Sequence, residues 1–332
     1  MIRKKIIVTG GTGYIGTHTC ISLITDYDLI MIDNLSNSDK SVIDKIKEIT
    51  GHNEILFYQI DLLNKLAIEE IFHEHHPFAV IHFAGLKSVP KSISHPLMYY
   101  QNNLVGTLNL LDTMDKYECH NLIFSSSATV YGNSPSPLSE TSNVGIGISN
   151  PYGQSKFMIE QILKDLCISN PKWHVISLRY FNPVGVHHSG LICENTNTPD
   201  NLMPIILKKI INEETLDVYG DDYDTPDGFC VRDFVHVMDL AVGHSCALDR
   251  MNSLSGYNMY NLGTGNGTSV MEFIKTFIRV NNVPLKYKVT NRREGDVPIL
   301  FCDPNKAKEE LGWSAKLSVE TMCVDSWRSV NT

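Results

Sequence analysis

Lys5-Ile-Ile-Val8 followed by Thr9-Gly10-Gly11-Thr12-Gly13-Tyr14-Ile15-Gly16 is the stretch on which the reading of the fold turns. A short β-branched run predicts a buried strand, and the apolar-periodic residues that continue to Ile24 predict a helix. Gly10, Gly13 and Gly16 are spaced three apart, and Gly11, Gly13 and Gly16 also satisfy G-x-G-x-x-G. Between a strand and a helix, such glycines permit a tight turn, close approach of backbone to a pyrophosphate and close helix–strand packing. The pyrophosphate is then expected on the positive end of the helix.

The next strand, Asp28-Leu-Ile-Met-Ile32, ends at Asp33. A carboxylate there accepts hydrogen bonds from the adenosine ribose and repels a 2′-phosphate. No arginine lies between residues 34 and 40, so the expected cofactor is NAD rather than NADP. Ile55 to Ile60 reads as a strand with Asp61 at its end, near the adenine, and Lys65 to His75 as a helix. Phe78 to Phe83 reads as a strand running into Ala84-Gly85, small residues that let a cofactor lie close. Pro96 to Tyr117 reads as one long helix. Leu97, Leu104, Leu108 and Leu111 form one stripe; Met98, Val105 and Met114 form another. Two apolar stripes need two partners, so one is expected to meet a second subunit. Leu122 to Ser125 is a strand with Ser126 and Ser127 at its carboxyl end, and His174 to Leu178 closes the series.

Strands alternating with helices predict an α/β fold with a doubly wound parallel sheet, and ligands in such sheets bind at the carboxyl ends of the strands. The expected organisation is a Rossmann-type NAD-binding domain over residues 1–180 and a smaller substrate-binding region over 181–332. Parts of the second region are expected to pack back on the first. It opens with a polar loop over 186–203, then a helix from Met203 to Ile211, then acidic, glycine-bearing turns from Asp221 to Gly228.

Tyr152 and Lys156 lie in Pro151-Tyr-Gly-Gln-Ser-Lys156, ahead of an apolar run from Phe157 to Leu166. Proline at a first helical position predicts a helix start, and residues four apart share a face. A lysine cation beside a phenol favours the phenolate, which makes the tyrosine a usable general base or acid.

Composition narrows the classes further. Across 332 residues, 42% hydrophobic and 20% charged, the chain can bury a full core. A net charge of −9 argues against nucleic-acid or anionic-membrane partners. No apolar window reaches the roughly 18 residues of a membrane span. The N-terminus lacks a signal-peptide pattern, and eight scattered cysteines without a C-x-x-C pair read as reduced thiols. The expected location is therefore cytoplasmic. His73-Glu74-His75-His76 lacks the spacing that places two imidazoles on one helical face, and Pro77 follows. No metal is expected there or at His187-His188.

Ser127, Tyr152 and Lys156, in this order behind the glycine turn, resemble the extended short-chain dehydrogenase/reductase family. Within it the chain is most similar to the nucleotide-sugar 4-epimerases. The similar segments are Val8 to Gly16, Ile81 to Lys87, Phe124 to Gly132, Leu178 to Gly185, Val231 to Asp239 and Arg292 to Asp296. The resemblance implies catalytic roles for Ser127, Tyr152 and Lys156. It places NAD against Gly10, Gly13, Tyr14, Ile15 and Gly16. Asp33, Asn34, Asn37 and Ser38 would then hold the ribose, and Asp61 and Leu62 the adenine. Phe83, Ala84, Lys87, Asn102, Ser125, Tyr180 and Phe181, together with Tyr152 and Lys156, would line the rest of the cofactor.

For the UDP-hexose substrate the resemblance implies Asn182, Asn201, Leu202, Tyr219, Arg232, Arg293, Asp296 and Leu300. Lys87, Ser127 and Tyr152 would also touch it. Guanidinium forks at Arg232 and Arg293 suit a diphosphate on chemical grounds as well. The implied activity interconverts UDP-galactose and UDP-glucose through C4 oxidation to a 4-keto intermediate and re-reduction, with NAD tightly bound. A homodimer pairing helices 96–117 and 151–169 is also implied. Relatives restricted to the non-acetylated sugars carry tyrosine where Leu300 stands, and those accepting N-acetylated sugars carry a smaller residue. Leu300 is therefore expected to permit weak turnover of N-acetylated UDP-hexoses. Related 4,6-dehydratases need an Asp-Glu pair just after the strand serine, and decarboxylating relatives a glutamate. Ala128 and Thr129 stand there instead. A catalytically silent NAD-binding scaffold on this fold would be expected to have lost the tyrosine or lysine.

Overall fold

In chain order, β1 (Lys5–Thr9), α1 (Tyr14–Leu23), β2 (Asp28–Asp33), α2 (Val42–Thr50), β3 (Leu56–Gln59), α3 (Lys65–His75) and β4 (Ala79–His82) alternate. A helical stretch follows as α4 (Val89–Ser94), α5 (Pro96–Tyr100), a π turn at Gln101–Val105 and α6 (Gly106–Lys116). Then come β5 (Asn121–Ser127), a 3₁₀ turn at Ala128–Tyr131, α7 (Pro151–Ser169) and β6 (His174–Tyr180). The computed structural model describes residues 3–194, 199–293 and 295–331.

The remaining elements are β7 (Asn182–Val184), α8 (Leu202–Ile211), β8 (Leu216–Tyr219), β9 (Val231–Arg232), β10 (Phe234–His236) and α9 (Val237–Arg250). After them come β11 (Gly256–Leu262), β12 (Thr268–Ser269), α10 (Val270–Asn281), β13 (Tyr287–Thr290), β14 (Ile299–Leu300), a π turn at Ala307–Leu311 and α11 (Val319–Arg328).

The main sheet has seven strands in the order β11-β6-β5-β4-β1-β2-β3, and β3 through β5 pair in parallel. Strands covered on both faces read as near-continuous apolar runs, as β1, β2 and β4 do. Their Ile7, Ile30, Ile32 and Val80 pack with Phe72 of α3, Leu110 and Met114 of α6, and Ile159 and Leu163 of α7. Each such fully buried side chain contributes on the order of 1.5–3 kcal/mol. Helix starts follow local chemistry: Asn64 Oδ1 accepts the Ala67 N–H at 3.3 Å to open α3. Asn150 Oδ1 accepts the Gly153 N–H at 2.9 Å ahead of α7, with Pro151 in the first turn.

Two compact units emerge. The first comprises Met1–Gly132, Asn143–Arg179 and Ala241–Tyr260; the second comprises Asn133–Ser142, Tyr180–Leu240 and Asn261–Thr332. The chain passes between the units after Arg179, beside the expected boundary at residue 180, and two further segments, 133–142 and 241–260, cross between them. Most of α9 and of β11 return to the first unit because β11 extends its sheet beside β6, while residues 133–142 join the second. There, Leu138 N–H donates to the Phe301 carbonyl at 3.0 Å and Asp303 N–H to the Leu138 carbonyl at 2.8 Å. The second unit has its own core, with Ile206 and Leu207 of α8, Phe234 of β10, Phe273 and Phe277 of α10, and Met322 of α11.

The expected 96–117 helix is one run interrupted by the π turn. A π turn admits an extra residue, so the two stripes read from the sequence do not persist. Leu111 and Met114 are buried, whereas Leu97, Met98, Val105 and Leu108, drawn from both stripes, are exposed. Among the described residues no helix is long and apolar enough to cross a membrane.

Candidate active site

The glycine turn closes tightly on its neighbours. Gly10 adopts φ +68°, and a Cβ there would fall 2.7 Å from the Ala84 nitrogen; one on Gly16 would fall 2.2 Å from the Gly10 carbonyl oxygen. No side chain caps the first turn of α1, which leaves its N–H groups for an anion. Gly13 donates its N–H to Gly10 O at 3.1 Å, and Tyr14 and Ile15 begin α1.

Asp33 ends β2 largely buried. Its Oδ2 accepts from Thr12 N–H at 3.2 Å, and its Oδ1 from Leu35 N–H at 2.9 Å and the Ser38 hydroxyl at 3.2 Å. Asn34 Nδ2 donates to Asp61 Oδ2 at 2.8 Å. Asp33, Asn34, Ser38 and Asp61 therefore form a polar group along the ends of β2 and β3, with Asn37 exposed nearby in sequence and Leu62 buried behind it. Phe83 lies against His244 with ring centres 4.8 Å apart, and Lys87 is exposed. A cradle with no room for a Cβ, an uncapped helix start and a carboxylate at the strand end together fit a dinucleotide such as NAD.

Lys156 is buried, and its Nζ donates to the Ser125 carbonyl at 2.6 Å. The same ammonium lies 4.8 Å from the Phe124 ring centre and 6.0 Å from that of Tyr152. Ser127 hydrogen-bonds the Tyr152 phenol and accepts the Thr129 N–H at 3.2 Å. The structure thus brings Ser125, Ser127, Tyr152 and Lys156 together where β5 ends and α7 begins.

The electrostatics differ from the sequence expectation in sign. Burial raises the Tyr152 phenol above its usual 10, the Ser127 hydrogen bond opposes this, and Tyr99 adds to it. Lys156 points its ammonium at the Ser125 carbonyl, so burial outweighs any help it gives the phenolate. Burial also pushes Lys156 down to about 8, against the pull of Glu160 one turn later.

Several supporting residues carry no local sequence signal. Asn103, in the π turn, accepts the Leu86 N–H at 2.8 Å and donates to the Leu86 carbonyl at 3.0 Å and to Ser155 Oγ at 3.1 Å. It thereby ties the loop after β4 to α7, and its neighbour Asn102 donates to its Oδ1 at 3.0 Å. His82 sits between Thr9 Oγ1 at 2.7 Å and Thr107 Oγ1 at 2.9 Å. Burial and Lys156 push this imidazole down to about 3, so it is neutral. Beneath Lys156, Glu160 accepts from Ser126 Oγ at 2.6 Å and from Arg179 at 2.9 and 2.6 Å. Arg179 also donates to Tyr131 Oη at 2.9 Å.

The second unit groups most of the candidate substrate residues. β14 pairs with β9 so that Leu300 stands opposite Arg232. Asp296 Oδ1 lies 3.5 Å from Arg232 Nη2 and accepts from Arg293 Nη2 at 2.8 Å. The Arg293 guanidinium is 5.9 Å from the Tyr219 ring centre. Tyr180 and Phe181 are buried and lead into Asn182 of β7, whose buried Oδ1 has no hydrogen-bond partner among the described residues. Asn201 precedes Leu202 at the start of α8, and its Nδ2 donates to Glu194 Oε1 at 2.7 Å. Glu294, within the Arg292–Asp296 motif, lies outside the described residues.

A nucleotide cradle at the carboxyl edge of a parallel sheet, with a serine ending β5 and a tyrosine and lysine on α7 beside it, fits an NAD-dependent enzyme. The chain belongs to the NAD dependent epimerase/dehydratase family, whose model matches residues 6–263.

Its relatives narrow the class. It is 50% identical over 327 residues to the UDP-glucose 4-epimerase of Bacillus subtilis (strain 168), covering 97% of this chain and 96% of that one. To the UDP-glucose 4-epimerase of Dictyostelium discoideum it is 48% identical over 331 residues, covering 98% and 96%. Among solved structures, the UDP-glucose 4-epimerase from Bifidobacterium longum in complex with NAD+ and UDP superposes with a TM-score of 0.94. That match has 44% identity and covers 99% of this chain and 98% of that one.

Proposed function

We propose that this protein is a UDP-glucose 4-epimerase that interconverts UDP-galactose and UDP-glucose with an NAD retained through turnover. The observation that carries this reading is the Ser127–Tyr152–Lys156 arrangement with only Ala128 and Thr129 beside it. Neither can act as the acid or base that elimination of water would require, whereas inversion at C4 needs no further group. Relatives that are UDP-glucose 4-epimerases, one of them solved with NAD+ and UDP, support the choice.

NAD, held against the glycine turn and Asp33, would supply the acceptor for the C4 hydride and the donor for its return, and its positive ring would favour the Tyr152 phenolate. Tyr152 takes the proton from the C4 oxygen and later gives it back. Ser127 donates to the same oxygen and orients it, and Lys156 supplies a second, buried cation anchored on the Ser125 carbonyl. In this reading the first unit holds NAD and the second holds the UDP-sugar. Arg232 and Arg293 fix the diphosphate while the sugar turns, and Asn182, Asn201, Leu202, Tyr219 and Asp296 complete the nucleotide set. Lys87 serves the cofactor and sugar. Leu300 faces the 2-substituent and admits weak turnover of N-acetylated sugars.

The protein acts in the cytoplasm as a homodimer, with the exposed apolar residues Leu97, Met98, Val105 and Leu108 as its interface. A monomer in sedimentation at micromolar concentration overturns that assignment. The central test is Tyr152→Phe. It is expected to keep fold and bound NAD while conversion of UDP-galactose falls by about 10²–10⁴-fold, the usual share of a general acid–base group. A near-wild-type rate refutes the mechanism.

A further inference from the structure

Arg232 is followed by a carboxylate that the reaction does not use. Asp233 is fully buried. Its Oδ1 accepts from the Thr264 N–H and the Thr264 hydroxyl, both at 2.7 Å. Its Oδ2 accepts from Gly265 N–H at 3.0 Å, Cys302 N–H at 3.3 Å and the Cys302 thiol at 3.4 Å. A carboxylate offers about four lone-pair sites, so this one is saturated. The turn closes directly onto it, since a Cβ on Gly263 would fall 2.5 Å from Asp233 Oδ2.

The backbone of the same residue makes two more links. Asp233 N–H donates to the Leu300 carbonyl at 3.0 Å, and its carbonyl accepts the Asn182 N–H at 2.9 Å. Asp233 therefore joins three strands at one point. β9 carries Arg232 next to it in sequence, β7 carries Asn182, and the β14 strand carries Leu300 with Cys302 two residues on. A buried carboxylate satisfied by N–H, O–H and S–H donors is costly to assemble; its side chain pins the turn at Thr264–Gly265 to Cys302, two residues past Leu300, while its backbone bonds Leu300 and Asn182.

We propose that Asp233 is a positioning residue for nucleotide-sugar binding, holding Asn182, Arg232 and Leu300 in mutual register. The proposal rests on the function assigned above. If it is correct, loosening this point costs affinity for UDP and leaves the proton chemistry at Tyr152 nearly intact.

The test uses the full-length, NAD-loaded protein. UDP affinity is measured by calorimetry, kcat and KM with UDP-galactose, and bound NAD by release on denaturation. Asp233→Asn turns one acceptor into a donor facing N–H groups. Hydrogen bonds to charged groups are worth about 1.5–3 kcal/mol, so a weakening of roughly tenfold or more in UDP Kd and in KM is expected. A change in kcat within about threefold and unchanged NAD content are expected alongside.

Thr264→Val removes one hydroxyl donor and leaves the three backbone N–H groups of Thr264, Gly265 and Cys302. It is expected to move Kd and KM in the same direction by a smaller factor, and it carries the test where Asp233→Asn fails to fold. Unchanged UDP affinity in either folded variant, or a loss confined to kcat, overturns the proposal. Wild type measured in parallel separates the two readings. If wild type neither binds UDP nor converts UDP-galactose, the assigned function falls and this inference with it. If wild type does both and the variants match it, the positioning role alone falls.

Discussion

Replacing Arg179 by methionine removes the cation from a pair sealed from water, with side chains 1% and 0% exposed for Arg179 and Glu160. Glu160 would keep the Ser126 hydroxyl at 2.6 Å but lose guanidinium bonds at 2.9 and 2.6 Å. Breaking one side of a buried ion pair costs about 3–5 kcal/mol, because the remaining charge is desolvated without compensation. Removing both charges, as Glu160→Leu with Arg179→Met, leaves an apolar interior. The buried hydroxyls of Ser126 and Tyr131 then lose a partner each, at about 1–3 kcal/mol apiece, against the gain from replacing a buried ion pair by apolar groups.

The double variant is therefore expected to lie within about 2 kcal/mol of wild type, well short of the sum of the single losses. Urea unfolding followed by circular dichroism at pH 7 measures all four corners of the cycle. A single-variant loss below about 1 kcal/mol, or a double variant as unstable as the sum, refutes the pair's assigned role.

Other outcomes can be stated more briefly. His82 has its pKa pushed down to about 3, so between pH 3 and 6.5 the unfolded chain binds the extra proton and stability falls with falling pH. At pH 5 this amounts to about 2 kcal/mol at 1.36 kcal/mol per unit. His82→Gln should flatten that slope in urea titrations at pH 7 and pH 5, and an unchanged slope refutes the assignment. Cofactor released on denaturation of purified protein is expected to be NAD, as Asp33 and the lack of arginine in 34–40 require; recovery of NADP refutes it. Leu300→Tyr is expected to lower kcat/KM for UDP-N-acetylglucosamine by about 10–200-fold relative to UDP-glucose, the range of small pocket changes. Equal effects on both sugars refute the gate. The backbone on either side of Leu300 is held by Ser136 Oγ, which donates to the Ile299 carbonyl at 3.3 Å and accepts the Phe301 N–H at 3.0 Å. Leucine can therefore yield to a larger sugar mainly by side-chain rotation.

The glycine turn, Asp33 and the helix bearing Tyr152 and Lys156 were legible because each rests on local chemistry: a turn that only glycine fits, a strand-end carboxylate and an i, i+4 spacing. The seventh strand was not. Gly256-Tyr-Asn-Met-Tyr-Asn-Leu262 is polar and only partly buried over its first half, and it joins β6 from far along the chain. The π turn has no sequence signature, because Asn102 and Asn103 sit within an otherwise helical pattern and nothing local marks the extra residue. The Glu160–Arg179 pair spans 19 positions and leaves no spacing to read. The direction of the Tyr152 shift depends on burial, which spacing does not report.

The division of the chain bears on how it can be cut and made. The polypeptide passes between units after Gly132, Ser142, Arg179, Leu240 and Tyr260, so neither unit is a continuous piece of gene. A fragment ending at residue 180 would lack β11, exposing the edge of β6 to other chains, a template for aggregation. Its complement would lack residues 133–142, which pair with the strand behind Leu300. Expression of the halves should give insoluble or unfolded material. Synthesis on the ribosome must likewise run past Tyr260 before the sheet of the first unit can close. Folding is then deferred by distant pairings and slowed by their loop-closure cost.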